Sequence, residues 1–166
     1  MIHQHELKAN DDHAYTLEML KEHLKIKVDG YICKTDMILN VLIKASAENS
    51  SLEAACGDLE ETADSNTIRE YLNEALPIKE LREQEKQVNK VLACGTPADL
   101  VRTDIEVALD FHDEPFYGKQ AGTRQVTCAG QAKKGTTHFV RIATAYIIWR
   151  QVRLTLAVRY VLPEDE

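Results

Sequence analysis

A chain of 166 residues, 44% apolar and 28% charged, holds one ordinary domain or two small ones and has enough apolar side chains for a core. Seven Gly and four Pro exclude a linker-rich or collagen-like chain, and no run approaches the roughly 18 apolar residues of a membrane-spanning helix. With a net charge of -7 and no apolar stretch behind a basic flank in the opening MIHQHELKANDDH, the chain is expected to be cytoplasmic, with no membrane partner.

Residues 13–26 space Leu17, Leu20, Leu24 and Ile26 near the helical period, with Glu18, Lys21, Glu22 and Lys25 between them. This predicts an amphipathic helix closed near Asp29-Gly30. A second helix opens at Thr35 or Asp36, either able to cap it, and buries Ile38, Val41, Leu42 and Ala45 before the polar run Glu48 to Ser51.

Ser50-x-x-Glu53 has capping-box spacing and opens a short helix that turns Leu52, Ala55 and Leu59 inward. After the break Glu60 to Asp64, Asp64 or Ser65 caps a further helix, SNTIREYLNEAL. One side of it carries Ile68, Tyr71, Leu72 and Leu76, another Asn66, Arg69, Glu70 and Asn73. Short helix, turn and polar-faced helix is the helix-turn-helix outline. In that reading Asn66, Arg69 and Asn73 reach base edges, and Ser65 and Thr67 bond phosphate. A plain helical hairpin in an acidic bundle gives the same pattern, and both readings stand on this segment alone.

Pro77 suits the first turn of another helix running to about Ala93, with Leu81, Val88, Val91 and Leu92 as its sparse apolar side and Gly95 as its stop. Its ELREQEKQ stretch is highly charged and reads as a solvated connector, so the domain boundary is placed near Thr96-Pro97.

Beyond it the pattern turns to strands. Ile105 to Phe111, Thr137 to Trp149 and Val152 to Val161 are rich in Val, Ile, Tyr and Thr. The last two are separated by Arg150-Gln151 and form an antiparallel hairpin, although this pair lacks the glycine or asparagine of a tight primed turn. Strict alternation puts Leu154, Leu156, Val158 and Tyr160 on one face and Arg153, Thr155, Ala157, Arg159 and Val161 on the other.

The segment joining the first two strands is polar, and a short strand around Gln125 to Cys128 or a substrate-facing excursion both fit it. Gly130-x4-Gly135-Thr136-Thr137 imitates a phosphate-binding loop but has Thr136 where the lysine belongs and precedes a strand, which excludes a nucleoside-triphosphate site. Residues 1–114 hold 12 Lys and Arg against 24 Asp and Glu, whereas residues 115–163 hold 8 Lys and Arg and no acid. That split points to a polyanion-facing surface, with Lys119, Arg124, Lys133 and Lys134 as candidate DNA contacts; a basic face docking on an acidic one would look the same. Cys33, Cys56, Cys94 and Cys128 lie 23, 38 and 34 residues apart, without the close pairs of zinc or redox motifs, and read as buried free thiols.

Asp110 closes an otherwise apolar strand and is followed by His112, Asp113 and Glu114. A carboxylate there lies at the strand's open end or belongs to a site, and carboxylate oxygens suit hard cations such as Mg²⁺. Asp113 and Glu114 read as loop acids and His112 as a polar strand-end residue.

The block VALDFHDEPFYGKQ, followed by KKGTTHFVRIATAYII and RLTLAVRYV behind a helix-turn-helix-like region, resembles the DDE-type transposases of prokaryotic insertion sequences. The resemblance covers essentially the whole chain. It implies an α+β protein: a helical DNA-binding domain over 1–95, then over 97–166 the first part of a ribonuclease H-like catalytic domain with a three-stranded antiparallel sheet. It further implies Asp110 as the first catalytic, metal-binding acid, Mg²⁺ or Mn²⁺ as cofactor, and transposon ends and target DNA as partners, with self-association possible. The family's second aspartate and its glutamate lie beyond the third strand and are not found here. The expectation is a transposase fragment without turnover of its own; a catalytically dead DNA-binding remnant and a helix-turn-helix regulator are the alternatives.

Overall fold

The computed structural model describes residues 9–100, 104–118 and 125–165. The chain is α+β: among those residues are five α-helices followed by a four-stranded antiparallel sheet. It divides into two compact units, Met1–Gln84 and Glu85–Glu166.

The first unit is built from α1 (Ala9–His23), α2 (Thr35–Ala47), α3 (Leu52–Asp58) and α4 (Ser65–Ala75). Ile38, Leu39 and Val41 of α2 and Ile68 of α4 are completely buried, joined in one core by Ile26, Cys33, Ala55 and Cys56. Each such aliphatic side chain contributes roughly 1.5–3 kcal/mol by leaving water. Leu17, Leu20 and Leu24, the predicted apolar stripe, pack on that core.

Two caps differ from expectation and a third agrees with it. Lys34, in extended conformation, precedes α2 as its N-cap, and the Thr35 hydroxyl instead accepts from Val28 N at 2.9 Å, fastening the turn that joins α1 to α2. Ser51, not Ser50, caps α3 by accepting from Ala54 N at 3.2 Å, and Ser50 Oγ is buried without a hydrogen-bond partner. Asp64 caps α4. Three of the four cysteines are buried free thiols, as expected; Cys94 is exposed. Burial pushes the Cys33 thiol up, and its neighbour Cys56 raises it further.

The second unit begins inside α5 (Leu81–Cys94), ahead of the boundary expected near Thr96-Pro97. The reason lies in hydrogen bonding: Glu85 and Asn89 reach the last strand, so the helix from Glu85 onward belongs with the sheet and is not a solvated connector. The strands are β1 (Ala108–Pro115), β2 (Cys128–Lys133), β3 (Thr136–Trp149) and β4 (Val152–Val161). Long β3 is central. β1 pairs along one edge of it from Ala108↔Tyr146 to Pro115↔Phe139, while β2 and β4 share its other edge end to end.

The sheet therefore has four strands where three were expected, because the polar segment supplies β2 as a hairpin with the start of β3. Both hairpin turns are two residues long with positive φ throughout: Lys134 and Gly135 at 53° and 82°, Arg150 and Gln151 at 49° and 67°. That is the primed geometry matching strand twist, which Arg150-Gln151 adopts without glycine or asparagine. Along β4, Ala145 faces Ala157 but Tyr146 faces Thr155, so Leu156 is an extra residue, a β-bulge. Alternation reverses there. Arg153 and Thr155 share a face with Val158 and Tyr160, and Leu154 joins Ala157, Arg159 and Val161, against the strict alternation read from the sequence.

Candidate functional site

Asp110 is the third residue of β1, opposite Thr144 on β3. The strand continues past it, so Asp113 and Glu114 are strand residues and not loop acids. Pleating puts Asp110, His112 and Glu114 on one face and Leu109, Phe111 and Asp113 on the other. On the first face the bulge at Leu156 brings Arg153 of β4 across Thr144. Its guanidinium stands 3.9 Å from the Asp110 carboxylate, 3.4 Å from Thr144 Oγ1 and 3.8 Å from the centre of the Tyr146 ring. Asp110 and Arg153 are both about half exposed, which limits such a pair to a few tenths of a kcal/mol up to about 1.

The carboxylates do not converge. His112 Nε2 is 2.6 Å from Glu114 Oε1, and Glu114 lies four residues, about 13 Å, along the strand from Asp110. On the opposite face Asp113 holds Arg141 through two contacts at 2.8 and 3.3 Å. That hydrogen bond keeps the Asp113 carboxyl below the usual carboxylate range, helped by the charges of Arg141, Lys133 and His112 and opposed by burial. Among the described residues no three His, Cys, Asp or Glu side chains are grouped to hold an ion.

In the first unit, α4 carries Asn66, Arg69 and Asn73 on an exposed stripe together with Glu70. Arg69 Nη1 donates to Ser65 Oγ at 3.3 Å and Asn66 Oδ1 at 3.2 Å, which folds the guanidinium over the first turn. Thr67 serves the cap: its hydroxyl donates to Asp64 Oδ2 at 2.7 Å, and the N–H groups of Asn66 and Thr67 donate to Oδ1. The Thr67 hydroxyl, followed by those two N–H groups, holds the Asp64 carboxyl below its ordinary pKa. The donors at this helix start already serve a carboxylate, so a phosphate there meets a resident negative charge.

Of the basic candidates in the second unit, Lys119 and Arg124 lie outside the described residues. Lys133 and Lys134 are exposed at the β2–β3 turn, where Tyr117 Oη donates to Lys134 O at 2.8 Å. The four described arginines of the acid-free segment find acids of their own unit: Arg141 with Asp113, Arg150 with Asp99, Arg153 with Asp110 and Arg159 with Asp165. Much of the basic excess is thus neutralised locally. Sequence reasoning missed Arg153 and Tyr146 as neighbours of Asp110, since only the bulged register of β4 brings them together; it also missed Glu85 and Asn89.

Comparison of the chain with family models, with curated proteins and with solved structures finds no match in any of the three.

Proposed function

We propose that the chain is a DNA-binding protein of the DDE transposase kind, with α3, the turn Leu59 to Asp64 and α4 as its helix-turn-helix and the sheet as the opening of a ribonuclease H-like domain. The observation that carries this reading is the polar stripe of α4: Asn66, Arg69 and Asn73 are exposed along one side of a helix whose opposite side is anchored by fully buried Ile68. Amide and guanidinium groups so placed match the base-edge donors and acceptors of a major groove. The order of Asp110 on the first strand, β3 and β4 as the following antiparallel hairpin supports the second half of the reading. Within it, Asp110 offers one ligand to Mg²⁺ or Mn²⁺, and the described residues supply no partner acids to complete a two-ion centre.

A second reading, DNA binding without cleavage, is favoured by Arg153, whose guanidinium stands beside Asp110 where a cation would approach. Both are tested with the full chain and duplex DNA carrying candidate element ends, by fluorescence anisotropy at several salt concentrations. Binding should weaken steeply with salt, Arg69→Ala should cost sequence preference, and Lys133→Ala with Lys134→Ala should weaken binding to all sequences about equally. No binding at 50 mM salt, or binding indifferent to salt, removes the proposal. Cleavage in Mg²⁺ or Mn²⁺ that is lost in Asp110→Ala would decide for the first reading over the second.

A further inference from the structure

We draw no further inference here: the strongest candidate, the exposed apolar patch that Val107, Leu109 and Phe111 form at the start of β1, carries nothing because nothing in the structure shows what covers it.

Discussion

Asn89 brackets Val158: its side-chain amide donates to Val158 O at 2.9 Å and accepts from Val158 N at 2.8 Å. These are the two hydrogen bonds that a residue on a neighbouring strand would make, supplied by a helix 69 positions earlier in the chain. Glu85, one turn before, accepts from Tyr160 N at 2.9 Å and completes the imitation. A helix side chain thus does the work of a fifth strand.

Asn89→Ala strands both peptide groups of Val158 in a half-buried setting and should destabilise the second unit by about 1–3 kcal/mol. Asn89→Asp keeps the acceptor, loses the donor and should fall between. Trp149, the only tryptophan, lies on β3 of the same unit, so urea unfolding followed by its fluorescence reads the effect directly. An unchanged midpoint in Asn89→Ala would show that the bracket adds nothing.

At the β3–β4 turn, Gln151 holds φ at 67° and Arg150 at 49°, a region where a Cβ is disfavoured. Gln151→Gly removes that strain and should stabilise by roughly 0.5–1 kcal/mol, even though glycine adds freedom to the unfolded chain. The melting temperature should rise, and a fall would mean that the Gln151 side chain makes compensating contacts.

Asp113 gives the second unit an acid-sensitive term. The hydrogen bond from Arg141 lowers its folded-state pKa below the ordinary 3.8, so its stabilisation is fully present above that value and is lost as pH falls through it towards the lower folded value. Asp113→Asn should cost roughly 1 kcal/mol at neutral pH and much less near pH 3. Urea midpoints of both proteins at pH 7 and pH 3 check this; a cost that does not shrink in acid would locate the effect elsewhere.

Gly30 leaves room for Tyr71. A Cβ at position 30 would come within 2.3 Å of the Tyr71 hydroxyl oxygen and 3.2 Å of Cys33 O. Gly30→Ala should therefore cost about 1–2 kcal/mol, and less in a Tyr71→Leu background, where the clashing ring is gone. Thermal denaturation followed by helical circular dichroism measures all four corners of that cycle, and equal costs in both backgrounds would remove Tyr71 from the explanation.

The amino-acid order by itself determined the helices of the first unit and two of the strands. Leu17, Leu20, Ile38, Val41 and Ile68 recur at the helical period, and β3 and β4 are long runs of strand-forming residues joined by two polar ones. The same signals could not place a cap to the residue, since Ser50 and Ser51, or Lys34 and Thr35, offer comparable chemistry one step apart. Nor could they show which way Arg153 points. Period-two alternation holds only while a ladder is unbroken, and one extra residue at Leu156 moves Arg153 to the face of Asp110. Tertiary structure alone decided that α5 from Glu85 onward belongs with the sheet and that β4 is capped along Val158 to Tyr160. Those outcomes depend on hydrogen bonds between residues some seventy positions apart, and no local pattern encodes which distant peptide group a side chain will meet.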